Sequence, residues 1–276
     1  MITAGVDIGS SSSKVVIMAE GKTVLSKAVI PIGTGSSGPA KAFEKALVQA
    51  GLHRRQIAFI VATGYGRNHF SEADDQLSEI TCHARGVFEI YPKVQTVIDI
   101  GGQDAKAISI NRNGTVSNFV MNDKCAAGTG RFLDVMSRIL EVEVDHLAAL
   151  ADGAKNEVAI SNTCTVFAES EVISQLASGQ TRADVAAGLI KSVVKRVAGL
   201  ARRVGIRDDV VMTGGVSLNW IAVRFMQEEL GHRVLVSPDA QITGALGAAI
   251  IANHMMCSGK QSRVFEPSIP NSILAV

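Results

Sequence analysis

Aromatic residues are scarce in this chain. Phe, Tyr and Trp make up 4% of its 276 residues, with a single Trp and two Tyr, whereas hydrophobic residues reach 47%. The core is therefore expected to be aliphatic and rich in alanine. Net charge is almost absent: 27 basic and 26 acidic side chains leave +1. That balance gives no electrostatic basis for nucleic acid or an anionic membrane. No apolar run reaches the ~18 residues of a membrane span. The longest, residues 242–252, is broken by Thr243, Gly244 and Gly247. No basic stretch leads into an apolar one at the start of the chain. These absences predict a cytoplasmic protein with neither nucleic acid nor membrane as partner. The cysteines, Cys82, Cys125, Cys164 and Cys257, form no CxxC pair. A zinc ribbon is thereby excluded, and in that compartment structural disulfides are not expected.

Two nucleotide signatures are also missing. Gly33 and Gly38 have the spacing of a P-loop, but Pro39 stands where lysine is required. The same glycines complete a GxGxxG pattern, yet residues 53–60 hold none of the acids that dinucleotide binding expects about 20 residues on.

Glycine, in contrast, is plentiful, with 26 residues, as tight turns and close backbone approaches to a ligand require. Val- and Ile-rich runs predict strands over 2–9, 14–18, 23–30, 57–63, 95–101, 106–110, 116–121, 210–212 and 234–236. Helical spacing predicts helices over 39–50, 78–90, 129–140, 166–177, 182–204, 219–230 and 243–253. In the longest, Val185, Leu189, Val193, Val197, Leu200 and Val204 form one apolar stripe. Residues 255–276 show little periodicity and are expected to form a free C-terminal tail.

One repeat organises these elements. Residues 6–9 read VDIG and are followed by Lys14, and residues 98–101 read IDIG and are followed by Lys106. Both pairs are offset by 92 (99 − 7 and 106 − 14), and Thr23-Val24 falls on Thr115-Val116 at the same offset. Strand, loop, strand, turn, strand thus occurs twice. The expected fold is α/β, with two duplicated lobes facing each other across a cleft. Residues 1–95 plus the closing helix at 238–254 form the first lobe, and residues 96–237 the second.

The two repeated loops carry the chemistry. Gly9, Ser10, Ser11, Ser12 and Ser13 form one, and Gly101, Gly102 and Gln103 the other. Backbone N–H groups in such turns cradle anions, so two facing loops suit a polyphosphate. Asp7, Asp99 and Asp104 are the candidate catalytic acids, able to hold Mg²⁺ through its waters and to orient an attacking water. Lys14 and Lys106 are candidates to neutralise phosphate charge. Gly214-Gly215, after a short strand, suits a base or ribose lying on the backbone. Gly244 and Ala245 begin a small-residue helix fit for close packing at a hinge, and both are candidates to contact the nucleotide. Cys125 and Cys164 both stand at predicted helix starts, where the helix dipole favours thiolate. A [4Fe–4S] cluster takes about four thiolates, so two chains related by a twofold would complete one.

Longer segments carry a family resemblance. DIGSSSSK, ATGYGR (62–67), SEITCHARG (78–86), DIGGQDAK, NDKCAAGTGRFLDVM (122–136), SNTCTVFAESEVISQL (161–176) and MTGGVSLN (212–219) resemble the 2-hydroxyacyl-CoA dehydratase activators and the ATPase subunits of benzoyl-CoA reductases. These are iron–sulfur ATPases of the actin, hexokinase and heat-shock chaperone fold, whose lobes are ribonuclease H-like. The resemblance covers residues 1–254, with one departure, Asn162 where serine is expected. It implies an oxygen-sensitive homodimer that binds ATP or ADP with Mg²⁺ and carries one [4Fe–4S] cluster per dimer on Cys125 and Cys164. Gly128, Thr129 and Gly130 join the nucleotide-binding candidates. The implied activity is ATP-dependent one-electron donation to a partner iron–sulfur dehydratase or reductase, with ferredoxin or flavodoxin as donor. The alternative is a small-molecule kinase of the same fold, but no segment announces a sugar site, and a kinase has no use for the two cysteines.

Overall fold

The computed structural model describes residues 1–122, 126–161, 164–207 and 209–259. Its first half runs β1 (Ile2–Ile8), β2 (Ser13–Ala19), β3 (Thr23–Ile30), α1 (Gly38–Ala50), β4 (Phe59–Thr63), β5 (Asp75–Gln76) and α2 (Glu79–Ile90). There follow β6 (Thr96–Ile100), β7 (Ala105–Ile110), β8 (Val116–Met121), α3 (Gly130–Ile139), α4 (Leu147–Asp152), α5 (Thr165–Ala177) and α6 (Arg182–Val204). The chain ends with β9 (Val210–Thr213), α7 (Trp220–Leu230), β10 (Val234–Leu235) and α8 (Thr243–Cys257).

Two five-stranded sheets result, ordered β3-β2-β1-β4-β5 and β8-β7-β6-β9-β10. In each, the first three strands form an antiparallel meander, and the last two join in parallel beside the first strand. The offset of 92 appears as register: Asp7 lies opposite Lys14, and Asp99 opposite Lys106. The duplication extends to the fourth strand, with Asp7 beside Thr63 and Asp99 beside Thr213. There the offset is 150 (213 − 63), because α3 to α6 are inserted before β9.

The central strands are continuous apolar runs because helices cover both faces. On the first sheet, Ala42, Phe43 and Ala46 of α1 cover one face, with Val6, Ile8, Val15 and Ile17. On the other face α8 packs Ala245, Leu246 and Ala249 on Val16 and Met18, and Ala248 and Ala252 on Phe59 and Val61. The second sheet is covered on one side by α6, with α7 against β10. On its other side α2 packs Ile80, Ala84 and Val87 against Val97, Ile108, Ile110 and Val211. The α6 stripe is buried as its spacing predicts, except that Leu200 is only partly covered.

Between the sheets α2 and α8 touch at backbone level. A Cβ on Gly86 would collide with the Thr243 carbonyl, and one on Gly247 with the Cys82 carbonyl. Glycine at both positions is a steric requirement.

Three elements depart from the sequence expectation. Strand β5 has two residues and α4 six, both too short for a period to register. Helix α8 runs four residues past the expected end at Asn253, to Cys257. The expected free tail lies, from residue 260, outside the described residues. Among the described residues no helix is long and apolar enough to cross a membrane.

The crossing predicts opposite effects at two helical glycines. Gly247→Ala forces a methyl into the Cys82 carbonyl and should lower stability by about 1–3 kcal/mol. Gly199, in α6, has nothing within 4 Å of its would-be Cβ, so Gly199→Ala should raise stability by up to about 1 kcal/mol. Urea unfolding of the two variants measures both; equal effects would show that the crossing is not tightly packed.

Candidate functional site

The two hairpins bring one carboxylate and one ammonium together at the same end of each sheet. Lys14 Nζ is 3.2 Å from Asp7 Oδ2, and Lys106 Nζ is 3.1 Å from Asp99 Oδ2. Both aspartates are buried. The loops that follow are tight turns, closed by Gly9 N–H to Ser12 O at 3.0 Å and Gly101 N–H to Asp104 O at 2.9 Å. They face each other: a side chain at Gly102 would run into Ser11 Oγ. Ser10, Ser11, Gly101 and Gly102 therefore meet across one cleft, with Gln103 exposed at the second loop's tip. Ser13 does not join them. It is buried, and its hydroxyl donates to Ile32 O at 2.8 Å. The 33–38 glycine stretch buttresses the first loop, with Thr34 N–H donating to Gly9 O at 2.9 Å.

Lys106 is the electrostatic centre. Its buried ammonium lies 2.8 Å from Asp104 Oδ2 and 3.4 Å from Glu79 Oε1, besides Asp99. Burial opposes its charge, but the Asp99, Asp104 and Glu79 carboxylates outweigh burial and hold it above the usual lysine range. Lys106 is thus enclosed by acids and not presented to a phosphate as its place in the repeat suggests. Burial also pushes Asp99 up, yet the His83 imidazole, Lys106 and the Thr213 hydroxyl (2.8 Å to Asp99 Oδ1) win and hold it below the usual carboxylate range. At Glu79 burial prevails over the attraction of Lys106 and raises the carboxyl. Asp104 is the most exposed of these acids, with its side chain one-third accessible.

Glu79, His83 and Thr213 are not among the candidates the sequence offers. The available signals are slight: Glu79 and His83 are an i,i+4 polar pair on an otherwise apolar face of α2, and Thr-Gly recurs at 63–64 and 213–214. Those Thr-Gly turns lean on the repeated aspartates. Gly64 and Gly214 have φ of 87° and 84°, a region where a side chain is strained. A Cβ at Gly64 would lie 2.5 Å from Asp7 Oδ1, and one at Gly214 3.0 Å from Asp99 Oδ1. Gly215 opens a 3₁₀ turn (Gly215–Leu218), and Gly214 N–H donates to Ala240 O at 3.1 Å. Gly244 borders the centre, since its Cβ would sit 3.1 Å from Asp7 Oδ2. Ala245 is turned away, fully buried against β1.

The start of α3 is hydrogen-bonded to the second loop: Gly130 N–H donates to Gly101 O at 2.9 Å and Arg131 N–H to Gly102 O at 2.8 Å. Gly128 and Thr129 lead into it, the Thr129 hydroxyl donating to Ala126 O at 2.6 Å. Cys125 lies outside the described residues. Cys164 is exposed and is the N-cap residue of α5, with no side-chain cap. Around it α5 exposes Val166, Phe167 and Ile173. An exposed sulfur at a helix start suits a thiolate ligand of an anionic cluster. Cys82 does not: it is buried beneath α8, and burial pushes its thiol up to about 12. Cys257 is exposed near the end of the described chain.

The model of the BadF/BadG/BcrA/BcrD ATPase family matches residues 4–252. The (R)-2-hydroxyglutaryl-CoA dehydratase activating ATPase of Acidaminococcus fermentans is 55% identical over 251 residues, 91% of this chain and 96% of that protein. A solved structure of the activator of 2-hydroxyisocaproyl-CoA dehydratase from Clostridium difficile, with bound ADPNP, superposes with a TM-score of 0.91. It is 50% identical, covering 94% of this chain and 97% of that one. A ROK hexokinase from Thermus thermophilus, 14% identical, superposes with a TM-score of 0.52 over 94% of this chain and 100% of its own, which shows a shared fold.

The raised Glu79 carboxyl has a pH signature. A carboxyl harder to ionise when folded favours the folded state while protonated, and that contribution is lost as pH rises through the raised value. Glu79→Gln carries no charge to desolvate. Its stability relative to the parent should therefore improve as pH rises from the ordinary glutamate value of 4.5 towards neutrality. Urea midpoints across that range measure this; a gap that does not change with pH would contradict it.

Proposed function

Since the chain belongs to the BadF/BadG/BcrA/BcrD ATPase family, we propose that it is an ATP-dependent one-electron donor that activates a 2-hydroxyacyl-CoA dehydratase or a related iron–sulfur reductase. The loops at residues 9–13 and 101–103 cradle the phosphates of Mg-ATP between two lobes. The division is 1–95 with the closing helix at 238–254 against 96–237, with α2 packed on the second sheet. Gly214, Gly215 and Gly244 border the nucleoside. Asp7 and Asp99 serve Mg²⁺ through its waters, and Asp104, the acid most open to solvent, orients the water that attacks the terminal phosphate.

Cys125 and Cys164 of two copies are the thiolates for one [4Fe–4S] cluster, which supplies one-electron transfer when bound. The exposed Val166, Phe167 and Ile173 beside Cys164 are the apolar surface a second copy covers. A low-potential carrier such as ferredoxin or flavodoxin reduces the dimer, and oxygen inactivates it. The observation that carries this reading is the pair of hydrogen bonds from the start of α3 to Gly101 and Gly102. Any shift of the second loop on nucleotide binding or hydrolysis moves the start of α3 at Gly130, which follows closely on Cys125 in the chain.

Two experiments test it. Anaerobically purified protein should hold about four irons per dimer, the complement of one [4Fe–4S] cluster. Cys125→Ser and Cys164→Ser should lose that iron, and Cys82→Ser should keep it. Iron at twice that level, or none after anaerobic reconstitution, would overturn the shared cluster. Asp104→Asn should still bind nucleotide but lose about 10²-fold or more in ATP hydrolysis. Unchanged hydrolysis would transfer the role to Asp7.

A further inference from the structure

His83 has no counterpart in the duplication and no place in the chemistry so far, yet it sits between the two repeated aspartates. It is buried on α2, one turn after Glu79. Its Nδ1 is 2.9 Å from Thr243 Oγ1, at the start of α8, and 3.8 Å from Asp99 Oδ1. The Thr243 hydroxyl donates to Ala240 O at 3.4 Å, which leaves its oxygen lone pair to accept from a His83 Nδ1–H. The other ring nitrogen faces Gly244: a Cβ there would lie 3.1 Å from both His83 Nε2 and Asp7 Oδ2.

We propose that His83 is a positioning residue for ATP hydrolysis: through Nδ1–H it clasps Thr243 of the helix covering the first sheet, and this bond fixes the ring beside Asp99 of the second sheet and so the surroundings in which Asp99 works. Helix α8 packs on the first sheet and α2 on the second, so the His83–Thr243 bond ties the helix lying on one sheet to the helix lying on the other. It lies on the Gly86/Gly247 crossing, where the helices touch through backbone and no long side chain cushions a change of angle. A change in that angle displaces Thr243 from His83 and frees the ring to turn, so that the imidazole, 3.8 Å from Asp99 Oδ1, no longer stands fixed beside the carboxylate that the Thr213 hydroxyl holds at 2.8 Å.

The inference rests on the ATPase reading above, and amide replacements test it in the full-length, anaerobically purified protein. Asparagine keeps a donor near Nδ1; glutamine carries its amide nearer the Nε2 position; leucine fills space only. His83→Asn should keep kcat for ATP within about threefold, whereas His83→Gln and His83→Leu should lose about tenfold or more with KM within about twofold. Thr243→Val, which removes the acceptor, should lose kcat to the same extent, and combining it with His83→Leu should cost little more. A purely packing role predicts the reverse order, since glutamine and leucine fill the space better than asparagine. The proposal is overturned if leucine or glutamine keeps the parent kcat, if asparagine falls as far as leucine, or if Thr243→Val is silent. A parent protein without ATPase activity would overturn the ATPase reading along with it, whereas an active parent with indifferent variants overturns this proposal alone.

Discussion

A carboxylate buried at the end of a central strand needs a positive charge beside it, and in both sheets a lysine on the neighbouring strand answers it. This cross-strand pair, Asp7 with Lys14 and Asp99 with Lys106, explains why the loop between the two strands is short and closed on its own backbone. The reach of one lysine side chain sets the register of the hairpin, and the register sets where the loop's N–H groups stand. The halves then diverge. Lys14 has one carboxylate and stays partly accessible, whereas Lys106 is sealed among three. A buried ammonium with three acids fixes geometry more than it adds stability, because desolvation consumes much of the attraction.

Much of this architecture is legible in the sequence, for physical reasons that can be named. Strands β1 and β6 are covered on both faces and so read without an alternation of polar residues, as ITAGVDI and TVIDI. The hairpin repeat is visible because its loops have equal length in both halves, so that a single offset aligns Asp7 with Asp99 and Lys14 with Lys106. The fourth strand escapes the same search because α3 to α6 shift its offset to 150 (213 − 63), hiding the matching Thr63-Gly64 and Thr213-Gly214.

The site follows the same division. Asp7, Asp99, Asp104 and the glycine turns are local features, each readable from a few neighbouring residues. Glu79 and His83 come to the centre only because α2 packs across the second sheet and meets α8, 160 residues away at Thr243. Their own neighbourhood offers only the slight signal of a polar i,i+4 pair on an apolar helix face. The side chains of Ser13 and Ala245 are hard to place for the opposite reason: their sequence context is that of a loop or helix end, but packing turns them inward.

The helix that completes the first sheet is the last one described. Val16, Met18, Phe59 and Val61 stay without their cover until Ala245, Leu246, Ala248, Ala249 and Ala252 arrive. During synthesis, the opening strands therefore leave the ribosome long before their partner helix, and one greasy face of the first sheet has nothing to lie against while the whole second half is made. The half made first is the half finished last, and translation speed through residues 96–242 sets how long that face waits in the open.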